Sequence, residues 1–295
     1  MKGRRPVLRG LLILGVVLGV FVLAVVLISL IFRQQTPAPI AFGDKIGVVE
    51  VIGVISDAEE TVRWLKTFRE DGSIKAIVLR IDSPGGAVGA AQEIYREVLK
   101  TREKKKVVAS LGNVAASGGY YIACGADKIV ANPGTLTGSI GVVMHFANLE
   151  ELFKKLGIRG YVIKSGPYKD VGSPWRGMTK QERKLLQEVI DNVHDQFVRA
   201  VADGRKLPVE EVRKIADGRI LSGEQALELG LVDKLGSFED AVELAKRLAG
   251  IKGKPHLIYG RERPRLLEYL LEGIWRRGWE EFSQRLTGLS YLWYL

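Results

Sequence analysis

Apolar and polar positions follow two different rhythms along this chain. From Leu11 to Phe32 every residue is apolar apart from glycines and Ser29, with no polar face. From Gly47 onward, short apolar runs of strand length alternate with amphipathic stretches of helical period. The pattern predicts strands over Gly47–Ile55, 75–82, 106–111, 127–131, 140–145 and 160–164. Helices are predicted over Ala58–Arg69, 87–104, 117–124 and 149–156. Thr179-x-x-Glu182 reads as a capping box opening a long helix, whose apolar positions include Leu186, Val189, Val193 and Phe197. Ser222-Gly-Glu-Gln225 caps another helix, and Phe238 to Ala249 forms the last one of the globular part. Repeated β-α units imply an α/β fold with parallel pairing and right-handed crossovers. Near-continuous apolar strands such as Ala76-Ile-Val-Leu79 imply burial on both faces.

The first apolar run is a membrane span by length. As a helix, residues 11–32 reach about 33 Å, enough for a hydrocarbon core of about 30 Å. Lys2, Arg4, Arg5 and Arg9 precede it and only Arg33 follows closely. That asymmetry puts residues 1–10 in the cytoplasm and the rest of the chain outside, a single-pass cell-membrane topology. A cleavable signal peptide would have a shorter apolar region and a small-residue cleavage site, and neither is present. Residues 33–44 form a linker, stiffened by Pro37 and Pro39. Residues 45–250 form the folded domain.

Residues 251–295 form a C-terminal amphipathic extension. Leu267, Leu271, Ile274, Phe282 and Leu286 mark its apolar face, and Trp275, Trp279, Tyr291, Trp293 and Tyr294 suit a membrane interface or a partner groove.

The formal charge of +10 raises nucleic acid as a partner. No basic run with interleaved aromatics supports this, and the domain lies outside the cytoplasm, so nucleic acid is excluded. Membrane lipid with anionic headgroups fits the charge better. The single cysteine, Cys124, cannot form an intrachain disulfide and reads as a small buried residue. No cluster has metal-ligand spacing, so neither a metal nor a cofactor is expected.

Chemistry concentrates in Asn113-Val-Ala-Ala-Ser-Gly-Gly-Tyr-Tyr121, which puts Ser117 where a strand gives way to a helix. The first N–H groups of that helix lack intrahelical partners and can stabilise an oxyanion. The plainer reading is a small-residue turn with Ser117 as helix N-cap. Ser83-Pro-Gly-Gly86 follows the preceding strand and also presents bare N–H groups before a helix. Two such turns after successive strands could converge on one site suited to acyl transfer.

A base is less obvious. His145 lies in an apolar run, His194 in the long helix and His256 near the end of the globular part. A triad assembled across the fold stays open. The other option is a lysine in Ile163-Lys-Ser-Gly-Pro-Tyr-Lys-Asp170. Keeping a lysine neutral at pH 7 costs roughly 4–5 kcal/mol, which desolvation can supply.

Asp82-Ser-Pro-Gly-Gly86, Ala116-Ser-Gly-Gly-Tyr-Tyr121, Thr137-Gly-Ser-Ile-Gly-Val142 and Gly166-Pro-Tyr-Lys-Asp170 occur in that order. Together they resemble the short, single-domain signal peptide peptidase A family of the Clp-protease/crotonase superfamily, over about Lys45 to Gly250. The resemblance implies a mostly parallel α/β fold of repeated β-β-α and β-α units, here with an N-terminal transmembrane helix and a C-terminal helical extension. It implies a serine endopeptidase with a Ser/Lys dyad, acting on remnant signal peptides and other hydrophobic peptides. Ser117 would be the nucleophile, Lys169 the general base, and Ser139 the residue that orients Lys169. The N–H groups of Gly86 and Gly118 would form the oxyanion hole. It further implies a dome-shaped homo-oligomer with each active site at a subunit interface, so that a monomer is inactive.

Asp170 is the awkward neighbour, since a carboxylate near the amine favours charged lysine. In an extended segment Asp170 would face away from Lys169, toward an arginine such as Arg176. The last residues, from Gly288 onward, resemble a hydrophobic substrate and could occupy an active site of their own or a neighbouring subunit. Three alternatives stand beside this reading. They are a related membrane peptidase that cleaves hydrophobic tails of stomatin-like proteins, a crotonase-type acyl-CoA enzyme, and a non-catalytic membrane scaffold.

The topology is testable. Alkaline phosphatase fused after residue 44 should be active in a bacterial host, and a fusion after residue 10 inactive. The opposite pattern would overturn the orientation.

Overall fold

The computed structural model of the chain describes residues 14–23 and 44–260. The chain separates into two compact units, residues 1–43 and 44–295. In the first, residues 14–23 are helical and exposed. The rest of the expected span, the linker up to residue 43 and the tail from residue 261 lie outside the described residues. Among the described residues no helix is long and apolar enough to cross a membrane.

The second unit opens with β1 (Lys45–Ile52), α1 (Glu59–Glu70), β2 (Ile74–Ser83), α2 (Val88–Arg102), β3 (Lys106–Ala116) and α3 (Gly118–Ala123). Next come β4 (Lys128–Ala131), β5 (Leu136–Gly138) and α4 (Glu150–Lys155). Then follow α5 (Lys180–Arg205), α6 (Val209–Ile215), β6 (Ile220–Ser222) and α7 (Gly223–Glu228). The last elements are β7 (Lys234–Leu235), α8 (Phe238–Leu248) and β8 (His256–Tyr259). The sheet runs β6-β5-β3-β2-β1-β8, and β4 branches from β3 and pairs in turn with β7. Every pairing is parallel except β5 with β6.

The alternating side chains of β2 build two cores. Ile77, Leu79 and Ile81 join Leu65, Phe68, Ile94 and Tyr120 on one face. Ala76 and Val78 face the other way, toward Ala241, Val242 and Ala245 of α8. Both faces of β2 are therefore dry, as its unbroken apolar run implies. Three helices start with reciprocal capping boxes: Thr179 with Glu182, Ser222 with Gln225, and Ser237 with Asp240.

Two expected strands are absent. Residues 140–145 and 160–164 are extended or irregular and pair with no described strand. The reason is topological. β5 already has β3 on one edge and β6 on the other, so the chain leaving Gly138 finds no free edge there. Val143, Tyr161, Val162 and Ile163 are exposed instead. A short apolar run reads as a strand, but a strand needs a neighbour. In the opposite sense, β8 lies beyond position 250, yet it pairs with β1 and carries the sheet on to Tyr259.

An irregularity between β2 and β3 positions the end of β3. Ile81 pairs with Leu111, but Ser83 pairs with Ala115, so β3 carries extra residues against β2. The Asp82 carboxylate holds this bulge. It accepts from Asn113 Nδ2 at 2.8 Å and from the Val114 N–H at 3.1 Å. Gly112 makes room, since a Cβ there would lie 2.7 Å from the Asp82 carboxyl carbon. Bulges re-aim the residues that follow them, and here those residues lead to Ser117.

Replacing Asp82 by Ala should lower unfolding free energy by about 1.5–3 kcal/mol, the range for hydrogen bonds to a charged group. Urea denaturation would measure it; an unchanged midpoint would remove Asp82 as the strap.

Candidate active site

Ser117 sits in the turn between β3 and α3, at the carboxyl end of the parallel strands. Its backbone is at φ 51°, ψ −121°, a region costly for a residue with a side chain. Two hydrogen bonds help hold it there. Its N–H donates to the Gly138 carbonyl at 3.0 Å, and its own carbonyl accepts from the Tyr121 N–H at 2.8 Å. Gly118, as the first residue of α3, has an N–H with no intrahelical partner.

The turn after β2 comes against this one. Gly85 is at φ 100°, and a Cβ there would lie 2.7 Å from Gly118 N and 2.9 Å from Ser117 Cβ. Ser83 Oγ accepts the Gly85 N–H at 3.1 Å from a buried position. Gly86 forms a parallel bridge with Ile55. In that bridge the Ile55 N–H donates to the Gly85 carbonyl at 2.9 Å and the Ala87 N–H to the Ile55 carbonyl at 2.7 Å. The Gly86 N–H therefore points away from Ile55. A Cβ on Gly86 would come 2.2 Å from the Ile55 oxygen, and one on Gly118 would lie 3.4 Å from Gly86 N. Among the described residues neither the Gly86 nor the Gly118 N–H has an acceptor. Two close, free donors beside a hydroxyl can stabilise the oxygen of a tetrahedral intermediate.

Ser139 enters from the neighbouring strand. Ala116 pairs with Gly138, which brings the ends of β3 and β5 side by side. Ser139 is also at positive φ, 48°, with its N–H on the Arg219 carbonyl at 2.8 Å. Apart from glycines, only Ser117, Ser139 and Lys206 have positive φ among the described residues. Lys206 is the C-cap of α5; the other two strained positions meet here.

A small cavity opens beside Ser117, Gly86 and Gly118. Val88, Ala91, Tyr121 and Val142 line it, with Val193 and Phe197 of α5. Tyr121 is held between Tyr95 and Phe197, with ring centroids 5.0 and 4.9 Å away. Burial raises its phenol above the ordinary value. Cys124, one turn further along, is fully buried, and burial pushes its thiol up to about 12, so it stays protonated and inert at neutral pH.

Lys169 does not line this cavity. It is exposed in a turn closed by its N–H on the Gly166 carbonyl at 3.2 Å. The structure thus brings together Ser117, Ser139, Gly86 and Gly118 within one chain, and leaves Lys169 on the arm after β5. The histidines do not take its place. His145 and His256 are exposed, His194 has a buried Nε2 without a partner, and none of the three lines the cavity. Asp170 turns to Arg176, but residues 168–170 form a turn and not the extended segment expected. Its Oδ2 accepts from Nε at 3.0 Å and its Oδ1 from Nη2 at 2.8 Å.

The sequence profile of peptidase family S49 matches residues 100–252, and that of Clp protease matches residues 50–135. A Synechocystis protein provisionally named a protease is 52% identical over 209 residues, covering 70% of this chain and 75% of its own length. The chain belongs to peptidase family S49. It is a serine protease. Two further relatives of this S49 peptidase carry protease names. An Enterococcus faecium protein provisionally named signal peptide peptidase SppA is 39% identical over 72% of this chain and 66% of that protein. Protease 4 of Salmonella typhi is 37% identical over 82% of this chain, but over only 40% of its own greater length. The acyl-CoA and scaffold alternatives fall with this assignment.

Sequence reasoning did not find the cavity wall. Val193 and Phe197 read as core positions of a helix, and only the packing of α5 against α3 takes them to Ser117. Asp82 was visible as part of a motif, without its role as strap.

Gly85→Ala should cut kcat on a hydrophobic peptide by about a hundredfold or more, since the new Cβ must displace the Ser117 turn. Steady-state kinetics on folded variant checks this; near-normal kcat would mean that the two turns need not touch.

Proposed function

We propose that this S49 peptidase is a membrane-anchored endopeptidase that uses Ser117 as nucleophile and Lys169 as general base. Remnant signal peptides and other hydrophobic peptides are its substrates. The observation that carries the reading is the strained Ser117 between two free N–H donors, beside an apolar cavity. Neutral Lys169 takes the Ser117 proton as Oγ attacks the scissile carbonyl, and returns it to the leaving amine. Gly86 and Gly118 donate to the developing oxyanion. Ser139 orients the lysine. Water then attacks the acyl-enzyme by the same route in reverse. The aliphatic and aromatic wall of the cavity favours a small or aliphatic side chain next to the cleaved bond.

Lys169 reaches its serine in a homo-oligomer, across a subunit interface. Support comes from the arm that bears it. α4 has no buried residue, and Leu152, Leu156, Ile158, Tyr161 and Ile163 are exposed within one short stretch. Apolar surface of this extent calls for a protein partner, and a second copy also supplies what each site lacks. Residues 11–32 anchor the assembly, the basic N-terminus lies in the cytoplasm and the catalytic domain lies outside. Tethering there brings the site to peptides left in the bilayer, and the C-terminal extension adds contact with lipid or a neighbouring subunit.

Ser117→Ala and Lys169→Ala should each reduce hydrolysis of a fluorogenic hydrophobic peptide by at least about a thousandfold, with assembly intact. Subunits of the two variants, unfolded and reassembled together, should regain about a quarter of wild-type activity if each site draws on two chains of a symmetric ring. No recovery, with both variants dead, would put serine and lysine of one site in the same chain. An active Lys169→Ala variant would overturn the dyad.

A further inference from the structure

We propose that Arg176 is a positioning residue for the reaction: it holds the Asp170 carboxylate away from Lys169, so that the lysine can shed its proton. The inference rests on the Ser/Lys reading and deepens it. The chemical difficulty is general. A carboxylate within about 4–6 Å of an amine stabilises the ammonium form by one or more pKa units. Asp170 is bonded directly to Lys169 in sequence, so a free Asp170 side chain would sit within that reach.

The observed geometry removes the difficulty. Arg176 engages both carboxylate oxygens of Asp170 through Nε and Nη2, a two-pronged arrangement that fixes direction as well as charge. Lys164 Nζ adds a third donor, 2.5 Å from Oδ1. Asp170 is largely buried by these partners, its side chain 11% exposed. Lys169 remains exposed and has no side-chain bond to a described residue. The Arg176 guanidinium, then Lys164, hold the Asp170 carboxyl well below the usual carboxylate range.

Arg176 is itself anchored. Its Nη1 donates to Glu182 Oε2 at 2.9 Å and to the Gly177 carbonyl at 3.1 Å. Glu182 belongs to the capping box of α5, where Oε2 accepts the Thr179 N–H at 2.8 Å. The turn bearing Lys169 is thus tied to the first turn of the helix whose later residues, Val193 and Phe197, wall the Ser117 cavity. The remaining charges nearby are accounted for. Glu150 of α4 pairs with Lys154 and accepts the Gly177 N–H, and Arg183 of α5 shares a cavity with Arg176. None of these replaces Arg176 at Asp170.

The test compares Arg176→Gln, Asp170→Asn, the double variant and Lys169→Ala in the full-length assembled protein. The readout is kcat/KM on a fluorogenic hydrophobic peptide between pH 6 and 11. Arg176→Gln should move the ascending limb up by about one pH unit, which is about a tenfold loss below the midpoint and little loss above it. Adding Asp170→Asn should return the midpoint to the wild-type value or below. Should Arg176→Gln fail to assemble, Asp170→Asn alone still decides, because the freed Arg176 and Lys164 charges should leave the midpoint unchanged or lower it. A pH-independent loss in Arg176→Gln, a shift that survives in the double variant, or a raised midpoint in Asp170→Asn would overturn the proposal. If Lys169→Ala is dead in that case, the dyad stands and only the role of Arg176 falls. If Lys169→Ala is active, both fall.

Discussion

The close approach of two glycine turns is the constraint on which the site depends. Gly85 and Gly86 at the end of β2 lie against Ser117 and Gly118 at the end of β3, with no room for a side chain between them. Neither turn makes a site alone. Each supplies one free N–H, and the useful property is their separation, which the parallel pairing of β2 and β3 sets. The extra residues in β3, held by Asp82, adjust where that strand ends. Backbone strain at Ser117 and Ser139 is tolerated because hydrogen bonds to Gly138, Tyr121 and Arg219 leave each residue little alternative.

A second theme is the division of labour between core and arm. The sheet, α1 to α3 and α8 bury apolar residues on two faces and hold the serine rigidly. The stretch from Gly141 to Met178 does the opposite. It exposes apolar side chains, carries Lys169 and is braced locally by Phe153 stacked on Trp175 at 3.9 Å and by the Asp170–Arg176–Glu182 chain of ion pairs. Ser117 thus stands on the packed core and Lys169 on a separately braced arm.

Much of this was legible in the residues. The order of strands and helices through Ala131, the buried parallel sheet and the capping boxes at Thr179 and Ser222 follow from period and capping chemistry, which are local. Ser117 and the glycine turns were legible for the same reason: a strand, small residues and a helix start are contiguous in sequence. The strands expected at 140–145 and 160–164 failed because periodicity reports apolarity, not the presence of a pairing edge. β8 escaped notice because its four residues have little pattern of their own and depend on β1 for their bonds.

The sequence by itself determined the fold class, the candidate nucleophile and, with Asp170 and Arg176, a charge pair close enough in the chain to anticipate. Only the tertiary structure decided that Gly86 and Gly118 face one point, that Val193 and Phe197 close the cavity, and that Asp82 straps the bulge. It alone showed Lys169 exposed and outside the wall of the Ser117 cavity. The physical reason is distance along the polymer. Contacts between residues a few positions apart are dictated by backbone geometry, whereas those between remote segments depend on how the whole sheet twists, pairs and buries its two faces.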